Sequence, residues 1–156
     1  MRRRILPAIC LFAVLAAPGA LATDSHMVTW CDHGEQQPLD CVTSLRDRFA
    51  GRGPAAFVTM GTQLSKALVA QPDAFFVAMR DDPLAFADWK NTLTEHTFRV
   101  AAKPGTIEAD LQEAYLERLR EMMRESAEAY EGDSRFAAMA QDIVAALDGV
   151  TIVARR

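Results

Sequence analysis

The sequence predicts an all-α protein: a small irregular (orthogonal) bundle of five to six helices, with an N-terminal disulfide loop and a short apolar C-terminal tail. Three observations carry this expectation. Apolar residues recur at three- and four-residue spacing through most of the chain after position 38. Pro54, Pro72 and Pro83 each open one of these stretches. Proline suits the first helical position, where no amide donor is needed and φ is already set. No run of residues alternates apolar and polar in the way a half-buried strand would.

The first 22 residues stand apart from this pattern. Arg2, Arg3 and Arg4 precede an apolar run from Ile5 to Leu15, and Ala20-Leu21-Ala22 follows Pro18 and Gly19. Charge, short apolar core and small-residue site are the marks of a secretory signal peptide of bacterial type. The expected mature chain is 23–156, one helical domain of 134 residues. Cys10 lies inside the apolar run and not after it, so lipid anchoring is not expected. Three arginines leave with the signal, so 14 basic residues face 21 acidic ones, a net charge of −7. The expected destination is the periplasm or the outside of the cell.

Two cysteines remain, Cys31 and Cys41. In an oxidising compartment they are expected to pair. The nine residues between them include Gly34 and Pro38 and read as a loop. Closing a loop of that size restricts the unfolded chain by roughly 3 kcal/mol on chain-entropy grounds.

Helix by helix, the pattern runs as follows. Residues 39–50 carry Leu39, Val42, Leu45 and Phe49, and Gly51 and Gly53 end them. Residues 54–70 carry Phe57, Met60, Gly61, Leu64 and Leu68. Residues 72–80 make two turns with Phe75, Phe76 and Met79. So short a helix argues against a simple up-down bundle. Residues 83–99 start on Asp82 as N-cap and present Phe86, Trp89, Leu93 and His96 on one face. Lys103-Pro104-Gly105 is a break, and Thr106 caps the longest helix, 107–131. Its inward residues are expected to be Ile107, Leu111, Ala114/Tyr115, Leu119 and Met122/Met123. Gly132 stops it, Asp133 caps a last helix over 134–147, and Gly149 ends that helix. The tail Val150–Val153 is β-branched and apolar, too short for a helix; it packs on the body or adds as a strand to a partner or to a second copy.

Several function classes lose support on this reading. A net acidic chain offers no basic field for nucleic acid. After signal cleavage no segment approaches the ~20 unbroken apolar residues of a membrane span. No H-E-x-x-H, G-x-S-x-G, S-x-x-K, C-x-x-C-H, glycine-rich phosphate loop or calcium loop is present, so neither a catalytic residue nor a cofactor is assigned. Met60, Met79, Met122, Met123 and Met139 read as core filling, with an adaptive methionine groove as the sharper alternative. Acidic residues gather in 107–133, where Arg118, Arg120 and Arg124 offset only part of the charge. Such a helix is either a solvated face or a docking patch for a basic partner, since complementary fields speed association.

The expected function is therefore an exported, non-enzymatic binding protein of the envelope. Within that class, an inhibitor or immunity-type protein for a basic partner protein is the most specific expectation, with Glu117, Glu121 and Glu125 at the contact. One alternative is a metal-handling or enzymatic periplasmic protein that uses His33, His96 and the cysteines. The other is a structural envelope module.

Overall fold

A computed structural model describes residues 37–50 and 61–154. Among the described residues, six α-helices, one π turn and two very short strands make up the regular structure: α1 (Pro38–Phe49), α2 (Thr62–Ala70), α3 (Pro72–Arg80), α4 (Pro83–Thr92), the π turn Leu93–Thr97, β1 (Arg99–Val100), α5 (Ile107–Glu128), α6 (Ala137–Asp148) and β2 (Val153–Ala154). The all-α class is thus observed. Residues 31–36 of the expected disulfide loop, Met60 and the expected helix start at Pro54 lie outside the described residues, while Pro38 and Asp40, expected in that loop, already belong to the first turn of α1.

Local chemistry accounts for the helix starts. Pro38, Pro72 and Pro83 each occupy the first turn of their helix. Asp82 accepts the Ala85 amide at 3.0 Å, and Thr106 accepts the Ala109 amide at 3.3 Å, so both act as N-caps. Just ahead of Thr106, Gly105 has φ +77, a left-handed conformation that side-chain-bearing residues resist. Asp133 behaves differently from expectation. Its side chain accepts the Arg135 amide at 2.9 Å, and its carbonyl accepts from Phe136 and Ala137, so it organises a turn before α6, which begins only at Ala137.

All six helices contribute to one buried cluster. Phe75 and Phe76 of α3 are fully buried within it. The α3 helix packs on α1, α2 and α4, while α2 also meets α5, which packs on α6. Arg46 fastens α1 to α3 by donating to the Ala78 carbonyl at 2.6 Å. The Phe75 and Trp89 rings meet edge-on at 4.8 Å. The Trp89 indole donates to Ser65 Oγ at 3.3 Å, and Ser65 in turn donates to the Gly61 carbonyl at 2.9 Å. The one large polar edge in this part of the core therefore has its partner.

Two features depart from the sequence reading. The helix expected over 83–99 stops at Thr92 and widens into the π turn, closed by Phe98 N donating to Leu93 O at 3.3 Å. A π turn takes in one residue more than an α turn, so side chains beyond it rotate relative to those before it. Thr97 and Phe98 become buried, and His96 is turned to the edge of the face it was expected to share with Phe86, Trp89 and Leu93. The second departure is the strand pair. β2 lies parallel to β1, with Arg99 opposite Val153 and Val100 opposite Ala154. The tail packs on its own body: Val150 is 4% exposed, and Ile152 is packed against the core.

Candidate functional site

The expected contact residues sit on α5, so the site is built from that helix. Its buried stripe is Ala109, Leu116, Leu119, Met123 and Ala127. The loop before it is held by one side chain: Gln112 Oε1 accepts the amides of both Ala101 and Ala102, at 2.9 and 3.1 Å. The helix is thereby fixed from below by packing and at its N-terminal end by hydrogen bonds.

On the outer side the surface changes character along the helix. Ile107, Leu111 and Ala114 are exposed, the first two at 79% and 67%. Continuing the same four-three spacing, the outward residues become Arg118, Glu121, Glu125 and Glu128. Ile107 and Leu111 were expected to face inward, and this expectation is corrected. The row Ile107, Leu111, Tyr115, Leu119, Met123 steps by four residues, and each step overshoots a full turn by about 40°. Over four steps the row winds by about 160°, from the solvent side to the core. Its C-terminal half is buried as expected; its N-terminal half is not.

Glu117, Glu121 and Glu125 are all exposed. Glu117 pairs with Arg120 at 2.5 Å and Glu121 with Arg118 at 2.9 Å, while Glu125 has no ion-pair partner among the described residues. The first two line a groove of 810 Å³ between α5 and α6, with Arg118, Arg120, Arg124 and Asp148. Arg124 is bound to Asp148, which raises its already high pKa, and Arg120 also donates to the Val150 carbonyl at 3.2 Å. Three cations and three carboxylates thus neutralise one another inside the groove. The unpaired carboxylates lie elsewhere on α5: like Glu125, Glu108, Asp110 and Glu113 are exposed and have no ion-pair partner among the described residues.

Other candidates separate in space. His33 lies outside the described residues. His96 is half-buried, with Nε2 3.7 Å from Glu95 Oε2. No group of three or more His, Cys, Asp or Glu among the described residues is placed to hold a metal ion. Cys41 is buried on the inner side of α1, and Cys31, with which it is expected to pair, falls outside the described residues. Met79 and Met123 are fully buried, so neither offers a binding surface. No described helix is long and apolar enough to cross a membrane.

Sequence reasoning missed one juxtaposition of ionisable groups. Lys66 of α2 stands over the Tyr115 ring of α5, with Nζ 6.0 Å from the ring centroid. Burial lowers the Lys66 pKa and raises that of Tyr115. The two positions are 49 apart in sequence and share no local pattern, so no motif could have joined them. A second concavity, of 460 Å³, opens where α1 and α3 begin, between Pro38, Leu39, Pro72 and Val77. It belongs to none of the clusters above. Comparison with protein-family models, curated proteins and solved structures gave no match to this chain.

Proposed function

We propose that this chain is an exported, non-enzymatic binding protein of the bacterial envelope, of inhibitor or immunity type, that engages a basic partner protein. Export rests on the signal-like first 22 residues, which direct the product to the periplasm or beyond. The same proposal takes the helices as an irregular orthogonal bundle. It takes Cys31–Cys41 as the disulfide that clamps the N-terminal loop onto α1.

One observation carries the partner's charge. Helix α5 holds seven carboxylates against three arginines, and its exposed Glu108, Asp110, Glu113 and Glu125 have no ion-pair partner among the described residues. Solvated acidic side chains without local partners keep their field available to an incoming cation-rich surface. The test is capture of partners from envelope extract by the mature, oxidised protein at low and high salt. A stoichiometric basic partner lost at high salt is the expected result. Substituting Glu117, Glu121 and Glu125 by Lys is expected to abolish the complex. Unchanged affinity in that triple variant would remove those residues from the contact, and no salt-sensitive partner at all would remove the reading.

A further inference from the structure

We propose that the N-terminal half of α5 is a docking face for a basic amphipathic helix of the partner, with Ile107, Leu111 and Ala114 as its apolar seat. This deepens the reading above and rests on it.

Ile107, Leu111 and Ala114 follow one another at i, i+4 and i+7, an exposed stripe about 10 Å long on a single helix. Among the described residues, the other exposed large apolar side chains, Leu39 and Leu84, sit on different helices. Exposing two large aliphatic side chains together forgoes the favourable burial of both. The stripe is also presented rigidly. Thr106 caps the helix, Gln112 holds the preceding loop, and Ala109 and Leu116 anchor the opposite side in the core.

Charge selects the occupant. Glu108 and Asp110 flank the stripe on its two sides and Glu113 lies farther round the helix, all three exposed and without ion-pair partners among the described residues. The helix dipole favours the first two, which lie in the first turn, but Glu113 lies beyond its reach. A second copy docking here about a two-fold axis would bring the same carboxylates together, so self-association is opposed. An anionic lipid surface is repelled for the same reason. A helix with apolar residues at the same spacing and Lys or Arg on both flanks satisfies stripe and carboxylates together, which is the helix-on-face mode of peptide recognition.

The probe is a synthetic Leu/Lys peptide of about 18 residues, long enough to form an amphipathic helix when bound. Its controls are a scrambled sequence of the same composition and a Leu/Glu version. Calorimetric titration into the mature, oxidised protein is expected to show binding of the periodic Leu/Lys peptide alone. The charge-neutral pair Ile107→Ser and Leu111→Ser, both at exposed positions, is expected to weaken it by about tenfold or more. The set Glu108→Gln, Asp110→Asn and Glu113→Gln is expected to weaken it and to flatten its dependence on salt. Equal binding of the scrambled peptide, or full binding by the Ser pair, overturns the proposal. So does a wild-type dimer in sedimentation that the Ser pair dissociates. Applied to the envelope partner, the same variants separate the two ideas. If the Ser pair retains a salt-sensitive partner that the Lys triple variant loses, this docking face is wrong while the acidic-face reading stands.

Discussion

Tyr130 Oη donates a 2.6 Å hydrogen bond to Asp73 Oδ1, joining the turn after α5 to the first turn of α3. The same tyrosine ring stacks on Phe76 at 4.5 Å, and Phe76 in turn meets Phe136 at 5.4 Å. Arg135 lies over the outer face of Phe136, with its guanidinium carbon 4.9 Å from the ring centroid. One hydrogen bond and three rings thus fix the α5–α6 connection to the centre of the fold.

Burial first, and then the Asp73 carboxylate, push the Tyr130 hydroxyl up to about 12. The folded state therefore holds this proton more tightly than the unfolded chain, whose tyrosines titrate near about 10. The stability linked to it is complete below about pH 10 and is lost as pH rises through 12. Asp73→Asn is expected to bring the Tyr130 phenolate signal to lower pH, leaving the part of the shift that burial causes. Tyr130→Phe is expected to remove the alkaline loss of stability assigned to this group. Ultraviolet titration reads the first, with only Tyr115 as the other tyrosine, and urea unfolding at about pH 8 and about pH 11 reads the second. An unmoved phenolate transition in Asp73→Asn would dismiss the hydrogen bond as a cause.

Gly61 is placed by space and not by backbone freedom. Its φ of −58 and ψ of −42 are ordinary helical values. A Cβ there would stand 3.1 Å from Thr92 Oγ1, which is itself committed to the Trp89 carbonyl at 2.7 Å. In an unobstructed helix alanine would gain about 1 kcal/mol over glycine. Here Gly61→Ala is expected to destabilise by about 1 kcal/mol, because the hydroxyl has no easy retreat. In a Thr92→Ala background the same change is expected to become neutral or stabilising. A double-mutant cycle by urea unfolding measures the coupling, and additivity would mean that the two groups do not obstruct one another.

The parts of the fold that repeat a local rule were legible in the sequence. The starts at Pro72 and Pro83, the caps Asp82 and Thr106, and the Phe75–Phe76 core follow from residues within one or two turns of each other. What was not legible depends on distant partners. The β1–β2 pairing joins residues 54 apart and spans two residues on each side, too few for alternation to register. The π turn leaves no periodic mark until the residues beyond it are seen to have rotated. On α5 an i+4 row of apolar residues looks like one face and is in fact a spiral, which hid Ile107 and Leu111 as surface. Glu117, Glu121 and Glu125 were legible as exposed acids, but the arginines that neutralise two of them were read only as a partial offset.

Gln112 links that spiral to the rest of the fold. Its single side-chain oxygen accepts two successive amides, those of Ala101 and Ala102, just after β1. Gln112→Ala would leave both donors without this partner, and Ala102 is buried. The expected cost is about 1–3 kcal/mol. Gln112→Glu keeps an oxygen acceptor in place and is expected to recover most of that loss at neutral pH. Hydrogen exchange at Ala101 and Ala102 distinguishes local from global loosening: faster exchange confined to these amides in Gln112→Ala is the expected pattern. Equal stability of the alanine variant would show that the loop is held by its neighbours instead.

The C-terminal tail closes the fold intramolecularly. Val150 is buried, its carbonyl accepts from Arg120 at 3.2 Å, and β2 then pairs with β1. Truncation after Gly149 removes the apolar burial of Val150 and Ile152 and the partner strand at once. Burying a valine side chain contributes roughly 1.5–3 kcal/mol, so the combined loss is expected to be about 3 kcal/mol or more. Val150→Ala keeps the strand and is expected to lose about 1 kcal/mol, the smaller part. Because both strands belong to one chain, the wild-type unfolding midpoint is expected to be independent of protein concentration. A midpoint that climbs with concentration would instead mean that the tail pairs between copies, and an unchanged midpoint on truncation would mean that β1 is stable without it.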